Sequence, residues 1–394
     1  MKIGFYAPLK SPNHPVPSGD RAMARLLIKA LTACGHEVEI LSELRSWEGT
    51  GSQRAQGKII ALAQKEVERL TNYYQTNQPP ELIFVYHVYH KAPDWIGIEL
   101  ANKLHVPYLI VEASFAPKQI HGRWHIGHQQ TLKCIRTAQI IIALNPIDVE
   151  CIKPLLKSSQ SIELLSPFLG EFPSPLDNVS ALTKPALRKP ALRKQLAERH
   201  NLDLNKVWLI TVAMMRAGDK STSYKQLAET LSQIDMDLWQ WVAIGDGGNF
   251  NQIQRFFRPL AANCFFTGKL GAESIHQWLS IGDIFTWPAV NEAYGLALLE
   301  ALAAGLPAVV QNYGGVSSIV EHNRTGYVAN PDNRGEFTRF LEKLIGDEKR
   351  RKNMSTEAIK KFISEHSYNT AVSNINAICN NAGRNQAGRN GVAA

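Results

Sequence analysis

Cysteine is scarce and scattered. The five residues, Cys34, Cys134, Cys151, Cys264 and Cys379, are odd in number and never form a C-x-x-C pair. That argues against a disulfide framework or a zinc knuckle and fits a reducing cytoplasm. Long apolar runs are also missing. The closest, residues 294–310, carries Glu300 at its middle and Gly305-Leu306-Pro307 near its end, so it reads as a buried helix, a turn and a strand rather than a membrane span. The apolar stretch at residues 1–8 is too short for a secretory signal. Basic residues are not interleaved with aromatics, which argues against DNA or RNA as a partner. The expected location is the cytoplasm, with the inner face of a membrane open to it as a peripheral protein.

What is present is ordinary for a soluble chain: 44 % hydrophobic and 20 % charged residues, which excludes a disordered or collagen-like protein. The 394 residues are too many for one core, so two domains of near-equal size are expected. Lys and Arg (43) outnumber Asp and Glu (35), leaving a net charge of +8. Charge alone allows nucleic acid, anionic lipid or a phosphorylated small molecule.

Short branched apolar runs at 2–7, 37–41, 82–86, 108–111, 140–144 and 162–165 alternate with helical stretches at 20–33, 58–74, 93–104, 129–137 and 147–157. This is the pattern of a parallel sheet covered on both faces, a doubly wound α/β domain. Residues 166–190 break it with Pro and Ser. Here Lys184-Pro185-Ala186-Leu187-Arg188 is followed in tandem by Lys189-Pro190-Ala191-Leu192-Arg193. We read a basic, semi-extended linker, with a patch for anionic lipid or polymer as the alternative, running into a helix at 193–200. Alternation resumes with runs at 207–212, 240–244, 264–267, 284–287, 308–311 and 326–329, then helices at 333–345, 348–364 and 368–380. The expected organisation is a first domain over 1–170, a linker over 171–192 and a second domain over 193–364. A helix at 365–380 then packs back on the first domain, and a disordered tail covers 381–394. Ligands of such sheets sit at the carboxyl ends of the strands, so chemistry is expected in a cleft between two facing Rossmann-like domains.

The most informative stretch runs from Trp287-Pro288 through Glu292-Ala293-Tyr294-Gly295-Leu296 to Glu300-Ala301 and Gly305-Leu306-Pro307. A strand ends, a loop carries Glu292, and a helix opens near Gly295 with its first free amides available to a diphosphate. Glu300 lies about 7.5 Å deeper along the axis. Two carboxylates beside an anion make electrostatic sense if they accept hydrogen bonds from hydroxyls, as sugars flanking a diphosphate would supply. The alternative is an ordinary buried helix with Glu300 salt-bridged and Glu292 in solvent. Arg216 and Lys220 follow the strand 207–212 on the same side, placed to hold a diphosphate and neutralise a leaving group.

At this point the chain resembles the family-4 retaining glycosyltransferases of GT-B fold. The resemblance rests on Glu292-x7-Glu300 with Tyr294-Gly295-Leu296 inside it, on Arg216 and Lys220, and on Gly245-Asp246-Gly247. Further matches are Phe266-Thr267-Gly268, Gly314-Gly315-Val316, Thr325-Gly326-Tyr327-Val328, Gly19 and Gly35-His36-Glu37-Val38. It implies that Glu292 holds donor-sugar hydroxyls and Glu300 the ribose. It assigns the diphosphate to the amides of Tyr294, Gly295 and Leu296 with Arg216 and Lys220, and close approach to sugar and phosphate to the loop at Gly19. It further implies transfer with retention from a nucleotide-diphosphate sugar to a glycan, lipid-linked or polysaccharide acceptor, without metal or other cofactor. The chain departs from the family by placing Glu112 where many members have a His. Glu112, His87 and His90 are therefore the expected sugar or acceptor contacts, with strand-end hydrogen bonding as the alternative for the two histidines.

Three other patterns weigh less. His121, His125 and His128 have zinc-like spacing, but Gly122 and Gly127 are expected to interrupt a helix there. Asp235-Met236-Asp237 falls where a turn is expected. Gly245-Asp246-Gly247-Gly248 is not a full dinucleotide fingerprint. A sugar-nucleotide epimerase of the same fold, and a catalytically silent nucleotide-sugar-binding partner, remain as competing readings.

Overall fold

The computed structural model describes residues 1–16, 18–170, 190–292 and 295–390. They form two units, Met1–Pro167 with Tyr368–Ala394, and Phe168–Ser367. The first carries β1 (Lys2–Tyr6), α1 (Gly19–Ala33), β2 (Glu37–Ser42), α2 (Gln53–Tyr73), β3 (Leu82–Val88), α3 (Gly97–Leu104), β4 (Tyr108–Ala113), α4 (His125–Thr137), β5 (Ile140–Ala143), α5 (Pro146–Ile152) and β6 (Ser161–Leu164). The second carries α6 (Pro190–His200), β7 (Val207–Val212), α7 (Asp219–Leu231), β8 (Trp239–Ile244), α8 (Phe250–Phe256), β9 (Cys264–Gly268), α9 (Ala272–Ile281) and β10 (Ile284–Trp287). It continues with α10 (Leu296–Ala303), β11 (Ala308–Gln311), α11 (Val316–Ile319), β12 (Gly326–Ala329), α12 (Arg334–Gly346) and α13 (Glu348–Lys361). The closing helix α14 (Tyr368–Asn390) returns to the first unit.

Both sheets are wholly parallel, with strand orders β2-β1-β3-β4-β5-β6 and β12-β11-β10-β7-β8-β9. Strands buried on both faces explain the unbroken apolar runs: Leu82 to Val85 and Trp208 to Ile210 are fully buried. Winding reverses between β1 and β3 in the first sheet and between β7 and β10 in the second. Such a switch point opens a crevice at the carboxyl ends of the strands. In the second unit Trp241 Nε1 donates to Thr211 Oγ1 (2.9 Å), which donates to the Thr286 carbonyl (2.7 Å). This chain ties β8, β7 and β10 together near the switch.

Several boundaries differ from the sequence reading, four of them for an identifiable local reason. α2 starts at Gln53 because Ser52 caps it, its Oγ accepting from the Ala55 amide. α3 starts at Gly97 rather than 93 because the Asp94 carboxylate gathers the amides of Ile96, Gly97 and Ile98 at 2.7–2.9 Å. α4 starts at His125 and runs through Gly127. That glycine does not break the helix; it admits the His90 carbonyl oxygen, which would lie 2.2 Å from a Cβ there. α14 continues to Asn390, past the start of the expected tail. Its buried Ala371, Ile375, Ile378, Cys379 and Ala382 recur at helical spacing along one stripe. The stretch 171–189, with the first repeat of the expected linker, lies outside the described residues. The last repeat cation, Arg193, is no free surface charge. It bonds the Ile281 carbonyl (2.7 Å) and the Asp283 carboxylate (2.9 Å) and lies over the Trp208 ring.

Candidate active site

In the second unit the two strands at the switch point each hand the chain to a helix that no side chain caps. β7 leads through Gly218 (φ 83°) into α7, and β10 leads through Gly295 (φ 74°) into α10. Only glycine takes that left-handed turn without cost. In α10 the amides of Leu298 and Leu299 turn back to the Gly295 carbonyl, so Leu296 and Ala297 carry the first outward donors of the helix. Two helix N-termini at one strand-end crevice favour an anion.

The loop after β10 is tied to the first turn of α7. Ser223 Oγ accepts from the Val290 amide (3.0 Å), Asn291 Nδ2 donates to Asp219 (3.1 Å), and Lys220 donates to Glu292. Lys220 and Glu292 are both mostly buried, at 16 % and 20 % side-chain exposure, and the ammonium also lies 5.4 Å from the centre of the Trp287 ring. Thus the structure joins two of the expected site residues directly. Glu292 also lies against Gly295, its Cγ 3.4 Å from where a Cβ would stand. Glu300 is half-buried on α10, and burial pushes its carboxyl above the usual range. Arg216 is exposed on the loop after β7. Tyr294 lies outside the described residues.

The first unit holds a second polar cluster at the carboxyl ends of β3 and β4. His87 (φ 64°) and Glu112 (φ 59°) are left-handed residues on neighbouring strands, each flanked by regular pairing of Tyr86 with Val111 and Val88 with Ala113. His87 Nδ1 is 3.0 Å from Asp20 Oδ1 and 3.9 Å from Glu112 Oε2. Ser114 Oγ donates to Asp148 on α5 (3.2 Å). Burial works against the His87 imidazolium, but Glu112, Asp20 and Asp148 outweigh it and hold the ring above its usual range. The hydrogen bond from His87 holds Asp20 below its usual range. Burial raises Glu112 and Asp148, more than His87 and the hydroxyls of Tyr86 and Ser114 lower them. The strand end where relatives by resemblance carry a His therefore does have an imidazole beside it, supplied by β3 rather than β4.

Gly19 opens α1, whose cap is Ser18 Oγ accepting from the Arg21 amide (3.2 Å). A Cβ at Gly19 would meet nothing within 4 Å, so no close approach within the chain demands glycine there. His90, on the loop after β3, sits among aromatic rings. Its ring stands against Tyr89 and Trp124, and burial, with Lys91 and His128 beside it, lowers its pKa. Asp20 and Asp148 were not anticipated from sequence. An Asp in the first turn of a helix ordinarily answers to the helix dipole, and only the folded sheet brings these two to His87. Among the described residues no group of three or more His, Cys, Asp or Glu is arranged to hold a metal ion.

Residues 198–361 match the family model described as glycosyl transferases group 1. The chain is 32 % identical over 111 residues to a sulfoquinovosyl transferase of Arabidopsis thaliana, covering 27 % of this chain and 21 % of that one. It is 26 % identical over 179 residues to an alpha-D-kanosaminyltransferase of Streptomyces kanamyceticus, covering 45 % and 46 %. The chain spans less than half the length of each of these relatives. Among solved structures, the Anabaena protein HepE in complex with UDP superposes with a TM-score of 0.71 at 13 % identity, over 97 % of this chain and 100 % of that one. Sucrose-phosphate synthase from Thermosynechococcus elongatus gives 0.69 at 15 % identity, over 97 % and 98 %. The fold is GT-B.

Proposed function

We propose that this GT-B chain, whose second unit carries the group 1 glycosyl transferase region, moves a sugar from a nucleotide-diphosphate sugar to a hydroxyl of a glycan, lipid-linked or polysaccharide acceptor. The observation that carries the reading is the Lys220–Glu292 pair beside two uncapped helix N-termini at the switch point. The amides of Leu296 and Ala297, with Lys220 and Arg216, receive the diphosphate. A donor sugar beside it then engages Glu292, and the ribose engages Glu300. The solved HepE complexes with UDP and UDP-glucose make uridine diphosphate sugars the first donors to test.

The reaction proceeds with retention and without a metal. The bond from the anomeric carbon to the diphosphate breaks, and the cations stabilise the developing charge. The acceptor oxygen bonds the anomeric carbon from the same face, and its proton passes to the departing phosphate oxygen. Glu112 and His87 in the first unit, with His90, contact sugar or acceptor. No helix among the described residues is long and apolar enough to cross a membrane. Contact of exposed lysines with anionic headgroups is proposed as a peripheral interaction, and salt-sensitive flotation with anionic liposomes checks it.

A mass-spectrometric donor screen that follows slow release of nucleoside diphosphate tests the assignment. One donor should be turned over, and the Glu292→Ala, Arg216→Ala double variant should lose on the order of 100-fold or more in rate. Normal turnover by that variant sinks the reading. Thermal stabilisation by a donor with no transfer to a broad acceptor panel would favour a silent binding partner instead.

A further inference from the structure

Lys220 and Glu292 hold each other in this structure, yet the proposed donor makes a claim on both. The diphosphate needs the ammonium, and the sugar beside it needs the carboxylate. We infer that the Lys220–Glu292 pair makes the site favour the intact nucleotide sugar over the nucleoside diphosphate left after transfer. The inference rests on the glycosyltransferase reading and gives Glu292 a second task there, that of deciding which nucleotide stays bound.

Three observations carry it. First, the pair is shielded. Among the described residues Lys220 is the side chain that bonds the Glu292 carboxylate. The two side chains are 16 % and 20 % exposed, and the ammonium lies 5.4 Å from the centre of the buried Trp287 ring. Little water is at hand to replace either partner, so losing one leaves the other poorly compensated.

Second, Glu292 is fixed where it stands. Its loop turns through two left-handed residues that are not glycine, Ala289 (φ 58°) and Asn291 (φ 50°). Such backbone persists where its surroundings hold it. Here the Val290 amide donates to Ser223 Oγ (3.0 Å), and Asn291 Nδ2 donates to Asp219 (3.1 Å). The Glu292 amide donates to the Ala289 carbonyl (3.0 Å). A carboxylate on so tethered a loop does not follow its partner away or swing out to water.

Third, the carboxylate adjoins the anion site. Glu292 Cγ is 3.4 Å from where a Cβ would stand on Gly295, the residue that opens α10 and leaves the amides of Leu296 and Ala297 free. An ammonium that turns to a diphosphate there gives up the carboxylate. With a sugar still attached, its hydroxyls donate to Glu292 in place of Lys220. After transfer that compensation is gone. Lys220 then returns to Glu292 as the nucleoside diphosphate leaves.

The test is isothermal titration calorimetry of the full chain with UDP, GDP and ADP and with the glucose ester of each. Glu292→Gln keeps the shape and releases Lys220, so the nucleoside diphosphate should bind about fivefold tighter or more. The glucose ester should stay within about threefold, because the freed ammonium offsets the weaker hydrogen bonds of a neutral amide. In a Lys220→Met background only charge repulsion remains to be relieved, and the same change should tighten the diphosphate by less than about twofold. Unchanged or weaker diphosphate binding in Glu292→Gln overturns the inference. So does an equal gain for diphosphate and ester, or an equal gain with and without Lys220. A wild-type chain that binds none of these nucleotides would instead sink the glycosyltransferase reading itself.

Discussion

At the scale of single residues, His87 is the position where geometry and titration meet most closely. Its ring is fixed 3.0 Å from Asp20 and 3.9 Å from Glu112, and those carboxylates with Asp148 keep it charged to a higher pH than an ordinary His. A histidine raised in the folded state contributes stability that is fully present below its unfolded pKa of about 6.5 and is lost as pH rises through the folded value. Urea unfolding of His87→Asn should therefore show its largest deficit at pH values below that point and a shrinking deficit above it. Asn suits the left-handed backbone at φ 64°, so the comparison isolates the charge. A deficit that does not change with pH would remove the imidazolium from the account. Glu300 tests the donor side at the same scale: Glu300→Gln should raise the KM for the nucleotide sugar more than it lowers kcat, if the carboxylate holds ribose rather than the reacting centre.

Elements depend on single caps and single glycines. Asp94 is fully buried and accepts from the Ile96, Gly97 and Ile98 amides and from the Tyr108 hydroxyl (2.7 Å). It thus starts α3 and binds it to β4. Burial raises the carboxyl, and the four bonds pull against that rise. Asp94→Ala leaves those donors unpaired and should cost about 2–4 kcal/mol in denaturant unfolding. In the second unit Gly247 (φ 157°) turns the chain after β8 against the loop after β7, where a Cβ would stand 2.3 Å from the Met215 carbonyl oxygen. The Met215 amide bonds the Asp246 carbonyl (2.9 Å), so the two loops cannot part freely. Gly247→Ala should lower stability by about 2 kcal/mol or more and should displace the loop that carries Arg216, which donor affinity would register.

For the molecule as a whole, the closing helix is the test of how the chain is divided. α14 belongs to the first unit although it follows the second in sequence. Cys34 Sγ donates to the Val372 carbonyl (3.3 Å), and Lys29 lies over the Tyr368 ring, so the helix is fastened to α1. Truncation after Ser367 exposes the face of α1 that meets the buried stripe from Ala371 to Ala382. The first unit should then unfold several degrees earlier in calorimetry, while the second keeps its transition. A single transition shifted as one would mean that the two units unfold together.

The sequence by itself settled the two doubly wound sheets, because a strand buried on both faces must be apolar without interruption and the helices between must carry a period of 3.6. It also marked Glu292, Gly295 and Glu300, whose spacing follows from one local turn from strand to helix. It misjudged Gly127, because whether a glycine breaks a helix depends on what packs against it, and here the His90 carbonyl does. It could not see Asp20 and Asp148 beside His87, or the partnering of Lys220 with Glu292. Those groups are far apart along the chain, and only the order of strands in each sheet brings them within a few ångströms of one another.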